Sequence, residues 1–530
     1  MLAWVVLCAL AAVGCTGGDR PELDEEPEAG TDGPVDGGAL RLGLSGVATL
    51  DPAAADPANQ SELMLVDLLY DGLTEFDPAT GEVRPAVASG WSPNDELTVW
   101  TFTIDDQRTF ADGRQIVADD VKRSLQRAAE SGSDSLAGSR LDIVEGHAAF
   151  VEGGDELSGI KVVDDFTVEV TLSAPFAALP ELLSAPAYGV SGDGDDSGVA
   201  SESGPFGFDH ASSTELVDEE GRPAFEEAVL SRAAWSQAHL DEVELHLFPD
   251  VVGSYKAFVD GDVDVSLVPG EEVEAAGERY GTGGFVPFHL ILYFGFNLND
   301  PVFESGEFRR ALLQSVDRQA VVEEVFGASA DVLEGLVAQG VAGADGDPCG
   351  EPCAYDVDAA KATLAQLFPE GDIPTVALDY FEDEQEQALA EALAAQLEAA
   401  GIPTELRPKP FDEYSSFAVS GKQQLFRFGW VGVYSSPDPY LAPPFSTGSI
   451  DNVTGFGSTA VDEALKSARS AVDVGERAAA YGEAERLIME QTPVIPIAQF
   501  RTHAVIADDV RDLLVGVDGT FDPEVVWIQP

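Results

Sequence analysis

The chain has 530 residues, 45% of them apolar, and sets 96 acidic against 28 basic side chains for a formal charge of −68. That length can bury more than one core, and that charge repels nucleic acid and anionic lipid, so neither is expected as a partner. The acid is spread along the chain and lysine is confined to Lys122, Lys161, Lys256, Lys361, Lys409, Lys422 and Lys466. We read this as a halophilic surface, whose self-repulsion salt relieves as the screening length falls from about 8 Å at about 0.15 M to about 3 Å at about 1 M.

In chain order, Met1 to Gly14 is an almost wholly apolar run ending in Ala12-Val13-Gly14-Cys15. A short apolar segment with small residues before a cut is the pattern of a secretory signal, and it is shorter than the roughly 20 residues that span a bilayer. Cys15 resembles the lipidated cysteine of the bacterial lipoprotein box. Residues 1–15 are therefore expected to be a lipoprotein signal peptide, with the mature chain extracytoplasmic and held on the cell membrane by lipid on Cys15. Residues 16–38 are rich in Gly, Pro, Asp and Glu without apolar periodicity and read as a disordered acidic linker.

Order begins with the alternation of Leu40 to Leu44, a strand. Ser61 to Leu69 has helical apolar spacing, Val99 to Ile104 alternates as a strand, and Asp119 to Ala129 reads as a helix with Asp119 as its N-cap. Lys161–Val163 and Thr167–Leu172 flank Asp164-Asp165 as a hairpin. Ser191 to Gly204 is a Gly, Asp and Ser loop. Its Asp193, Asp195, Ser197 and Gly198 fall at early positions of a calcium loop, but Gly204 stands where the bidentate Glu is required. Glu242 to Phe248 is a further strand. Phe308 to Phe326 and Asp383 to Ala400 are long helical runs, with Asp379 and Glu382 preceding the second and Gly401 ending it. Val461 to Glu490 holds two more helices. Short strands near helices, without repeats, predict an α/β or α+β protein of several domains.

With Cys8 in the signal and Cys15 lipidated, Cys349 and Cys353 remain. Export permits a disulfide between them that pins the intervening Gly-Glu-Pro loop; a zinc half-site would need a second pair that is absent. No GxSxG, HExxH, P-loop or post-strand GxGxxG occurs, and the six histidines are scattered, so no catalyst, metal or cofactor is expected.

Several stretches, in order, resemble the peptide/nickel-type (family 5) extracellular solute-binding proteins. They are Leu68–Thr74, Gly81–Ala88 with Trp91, Trp100-Thr101-Phe102, Phe110–Gly113, Ala118–Val121, Gly204-Pro205-Phe206 and Gly261–Asp264. Phe294–Asn297 with Phe308–Leu312 and Val316-Asp317-Arg318 follow, then Phe428-Gly429-Trp430 and Ser436–Pro439. The resemblance implies an α/β, two-lobed periplasmic-binding-protein fold of type II, hinged between lobes. The first lobe would span 39–285 with an inserted subdomain at about 76–174, the second 286–495, and 496–530 would return to the first. It implies a monomeric, non-enzymatic protein that captures an oligopeptide or similar polar solute and passes it to ABC transporter permease subunits. A permease-independent sensing or scavenging lipoprotein, and more remotely a hydrolase, are the alternatives. Most motif residues have structural readings: Asp112-Gly113 is a turn, and Arg309 and Arg318 with Asp317 are expected to be intradomain ion pairs.

In the family's peptide-binding members, an Asp three residues after the Gly-Trp holds the ligand's α-ammonium. Here that position is Val433, which cannot pair a buried charge. Either Asp438 takes over or the ligand is not a free peptide. The remaining pocket candidates are Trp430 and Tyr434, flat rings with polar tips. Asn297 is a further candidate and is expected to brace a crossover between lobes. Alternation puts Phe426 and Phe428 on the face of Trp430 as core residues, and Arg427 on the other face.

Overall fold

Leu40, Leu42 and Leu44 alternate with Arg41 and Gly43, and the three leucines are buried in strand β1 (Ala39–Ser45). Burying each such side chain is worth about 2 kcal/mol. The computed structural model describes residues 33–130, 135–193, 199–208, 216–218, 221–344, 348, 350 and 353–530. After β1 come the hairpin β2 (Thr74–Asp77) and β3 (Glu82–Pro85), then β4 (Ala88–Pro93), β5 (Val99–Ile104), β6 (Ile160–Asp164) and β7 (Thr167–Thr171). Next are β8 (Phe206–Phe208), β9 (Glu227–Arg232), β10 (Glu242–Phe248) and β11 (Val265–Leu267). The chain continues with β12 (Gly284–Phe296), β13 (Ala330–Val332), β14 (Val376–Phe381), β15 (Thr404–Lys409), β16 (Leu425–Val431) and β17 (Val494–Ile506).

An eleven-stranded sheet has the order β15-β14-β16-β12-β17-β11-β1-β10-β9-β8, with β13 beside β17. Its two ends belong to different cores. Leu40, Leu42, Leu65, Leu69 and Leu245 pack in the first lobe, and Phe294, Phe296, Phe303, Leu312, Leu393 and Ile495 in the second. Inserted after β3, the four-stranded sheet β4-β5-β7-β6 and the helix Ala118–Glu130 enclose a third core around Phe102, Phe110, Val121 and Val168. This is the two-lobed type II arrangement.

Two strands carry the chain between lobes. Gly284 to Pro287 of β12 pair with Arg501 to Ala504 of β17; the register then shifts, and Ile291 to Gly295 pair with Val494 to Gln499. The irregular stretch from Pro287 to Ile291 contains buried His289, whose backbone N–H donates to Val517 and whose carbonyl accepts from Gly432.

Local details differ from the sequence reading in three places. The helix at Ala118 encloses Asp119 in its first turn. The Phe308–Phe326 run is two helices, Gly306–Gln314 and Arg318–Val325. Ser315 turns its hydroxyl back onto the Ala311 carbonyl at 2.6 Å, and Asp317 starts the second helix by accepting from the Ala320 N–H at 3.1 Å, a break that apolar spacing does not register. Asp383, one residue beyond Glu382, caps the helix Glu384–Ala400, which Gly401 closes at φ 95°.

Asp317 being a cap, the arginines do not pair with it. Arg309 donates to the carbonyls of Phe303 (2.6 Å) and Thr492 (2.9 Å), tying the helix to the turn before β17. Arg318 donates to the Leu333 carbonyl at 2.6 Å, and Glu334 lies 3.7 Å away.

Candidate functional site

Strand β16 alternates as its sequence requires. Phe426, Phe428 and Trp430 share one face, with ring centroids 6.1 and 6.0 Å apart in succession. Arg427, on the other face, pairs with Glu386 at 2.7 Å. Trp430 is 5% exposed and its indole N–H donates to the Pro439 carbonyl at 2.6 Å. Past the strand the chain turns at Gly432, where a Cβ would lie 2.3 Å from the Tyr440 ring, so only glycine fits. Val433 and Tyr434 then leave the second lobe's core and pack against the core of the inserted subdomain.

Tyr434 is buried, and its hydroxyl donates to Asp438 at 3.0 Å. Asp438, also buried, opens the helix Asp438–Phe445. Arg469 grips its two oxygens at 2.7 and 2.8 Å, and the Tyr481 hydroxyl adds a bond of 2.8 Å. Burial opposes ionisation of this carboxyl, but Arg469 and the two hydroxyls outweigh it and hold it below the usual carboxylate range. With four donors on two oxygens, Asp438 is already saturated.

A cavity of about 650 Å³ opens beside this group, lined by Arg140, Asp142 and His147 of the inserted subdomain and by Tyr434, Asp438 and Asp451 of the second lobe. That volume suits a small solute. Two arginines of the lining tie its two walls. Arg140 pairs with Asp451 at 2.6 Å, and its guanidinium stands 5.4 Å from the Trp430 ring centroid. Arg469 accepts at its carbonyl from the Ala177 N–H at 2.7 Å, and its guanidinium is 5.5 Å from the Phe176 ring centroid. Outside this lining, Arg477 of the second lobe pairs with Glu181.

The other named positions fall elsewhere. Asn297 donates to the Gly421 and Gln423 carbonyls at 3.1 and 2.8 Å, so it braces a loop of the second lobe and not a crossover between lobes. Cys353 is disulfide-bonded. Cys349, Cys15 and part of the Ser191–Gly204 loop lie outside the described residues. Among the described residues no group of three or more His, Cys, Asp or Glu could hold a metal, and no helix is long and apolar enough to cross a membrane.

Residues 82–452 match the model of the bacterial extracellular solute-binding proteins, family 5 (middle region). The chain belongs to this family. Among relatives of this family 5 protein, the probable deoxycholate-binding periplasmic protein YgiS of Escherichia coli K12 is 27% identical over 467 residues, covering 85% of each chain. The periplasmic murein peptide-binding protein MppA of the same organism is 26% identical over 485 residues, covering 86% of this chain and 87% of its own. The solved structure of MppA in its unliganded open form superposes with a TM-score of 0.78 at 22% identity, covering 94% of this chain and 98% of that one.

Sequence reasoning missed Arg140, Asp451, Glu181, Arg469 and Arg477, which belong to none of the motifs. One signal was available: with 28 basic residues in 530, few cations exist to spend on a surface so acidic. Arg140 and Arg477 are each 9% exposed or less.

Proposed function

We propose that this family 5 protein is an extracytoplasmic lipoprotein, anchored through Cys15. It captures an oligopeptide or similar small polar solute between its lobes and delivers it to an ABC transporter permease. The observation that carries this reading is the 650 Å³ cavity with one wall on each of two separately packed cores, joined by strands that can flex at a register shift. The relatives named for murein peptides and for deoxycholate support a small solute as cargo and leave its class open.

The ligand does not depend on a free α-ammonium. Val433 brings no charge, and Asp438, the carboxylate that could replace the missing anchor, is consumed by Arg469, Tyr434 and Tyr481. A second ammonium on its oxygens would have to displace one of these donors. In this reading Trp430 works from behind the cavity wall: its ring supports Arg140, whose position fixes Asp451.

The test is native purification from the source, mass spectrometry of the solute carried through, and calorimetry of that solute with wild type, Arg140→Gln and Trp430→Phe. Arg140→Gln is expected to weaken binding about tenfold, near 1.4 kcal/mol, and Trp430→Phe less. A solute bound equally by Arg140→Gln, or a protein that carries and binds none, overturns the reading.

A further inference from the structure

The cavity between the inserted subdomain and the second lobe holds an acidic group that the fold leaves without a partner. Resting on the reading of that cavity as the capture site, we propose that Asp142 binds an ammonium or guanidinium group of the captured solute, which is a small organic cation with an apolar body.

The lining sets Arg140 and Arg469 against the carboxylates of Asp142, Glu152, Asp438 and Asp451. Both arginines are engaged, Arg140 by Asp451 and Arg469 by Asp438. His147 places its Nε2 against the Gly138 carbonyl at 3.1 Å. Asp142 and Glu152, both exposed, make no side-chain hydrogen bond or ion pair among the described residues. An incoming anion therefore meets occupied arginines and two uncompensated carboxylates, whereas a cation finds those carboxylates open. The formal charge of −68 draws solutes in the same sense.

Asp142 differs from the solvated carboxylates that cover this surface. Although the residue is exposed, the walls around it exclude enough water to push its carboxyl above the usual range, against the pull of Arg140, Arg469 and His147. Those three side chains line the cavity, and the Asp142 carboxyl faces the space they border. Glu181, Glu386 and Glu485 are also pushed up by burial, but each is met by a donor: Arg477, Arg427 and the Leu336 N–H. Asp142 has no such donor, and a cation on the solute supplies one.

The apolar part of the lining describes the rest of the solute. Val151 on one wall and Ile450 on the other are 43% and 79% exposed, and both line the cavity with Phe176, Leu182 and Pro443. Large apolar side chains left bare on two walls of one cavity mark a contact surface. Asp142 belongs to the inserted subdomain and Asp438 to the second lobe, so the cation is not tied to an α-ammonium position. Any amine or guanidine that reaches Asp142 while its body lies against these side chains meets both conditions.

The full chain is titrated by calorimetry with phenethylamine, phenethyl alcohol and phenylacetate, one carbon skeleton ending in an ammonium, a hydroxyl or a carboxylate. Working at about 1 M KCl keeps the non-specific pull of the acidic surface short-ranged. Wild type is expected to bind the amine about tenfold tighter than the alcohol, and the carboxylate least. Asp142→Asn removes no hydrogen bond of the fold and should bring amine and alcohol within about twofold. Ala148→Trp, at an exposed position of the same wall, should fold normally and weaken the amine at least about tenfold. No saturable binding of the amine, or an amine preference kept by Asp142→Asn, overturns the proposal. A solute recovered by native purification that Arg140→Gln binds more weakly but that carries no cation overturns it too, and leaves the capture reading standing. Amine binding untouched by Ala148→Trp removes both.

Discussion

Arg469 holds both oxygens of Asp438 inside the second lobe, while its own backbone carbonyl accepts the Ala177 N–H of the opposite wall. One residue thus neutralises a buried charge and touches the other side of the cavity.

Removing that charge should be expensive. Asp438→Asn strands the Arg469 guanidinium and should lower unfolding free energy by about 3 kcal/mol. Because the folded carboxyl titrates below its ordinary range, its contribution is complete above the unfolded value and lost only as pH falls through the lowered folded one. Guanidinium denaturation at neutral pH measures the loss. Asp438→Asn combined with Arg469→Met should cost less than the sum of the two changes, since they share one interaction.

Glu485 makes a prediction of opposite sign. It accepts from the Leu336 and Val337 N–H groups, but burial dominates and pushes it up to about 7. The folded protein therefore holds this proton more tightly than the unfolded chain. Its stability contribution is complete below about 4.5 and fades as pH rises to about 7, by up to about 3 kcal/mol. Glu485→Gln keeps an acceptor oxygen without the charge. Denaturation at pH 5 and pH 8 should show the variant gaining on wild type at the higher pH; an equal difference at both would refute the assignment.

His289 should shape the acid limb. Burial pushes its ring down to about 4, so the fold favours the neutral form. That contribution is complete above about 6.5 and lost as pH falls from there to about 4. In melting curves between pH 7 and pH 4.5, His289→Leu should flatten this decline. Glu485 acts oppositely over an overlapping range, so single variants should reveal slopes that wild type masks.

Ionic strength should matter more than for an ordinary acidic protein. With a charge of −68, melting temperature should rise as KCl is raised from low concentration to about 1 M, because screening relieves repulsion among exposed carboxylates. Buried pairs such as Arg140–Asp451 are screened far less. A melting temperature unmoved by salt would remove the case for a halophilic surface.

Much of this scaffold was legible in the chain. Period-two alternation located β1, β5, β10 and β16 because each buries one face against a core, and the ordered motifs pointed to the family and its two lobes. The failures were of two kinds. The break at Ser315–Asp317 arises where side chains hydrogen-bond to the backbone, which leaves the apolar period intact. Arg140–Asp451 and Arg477–Glu181 join residues 311 and 296 positions apart, and no spacing rule reaches that far. Trp430 illustrates the limit between them: its strand face follows from alternation, but its bond to Pro439 depends on where the next helix folds back.

The strand order has a further consequence for how the molecule is made. β1, near the start of the chain, borders β11, and β11 borders the last residues of β17, with Val265 opposite Ile506. The first lobe therefore has an open sheet edge until residue 506 has emerged from the ribosome, and a chain cut short of β17 would carry that edge bare. Such a product should be captured by chaperones or should aggregate, and the early half of the protein is not an independent folding unit.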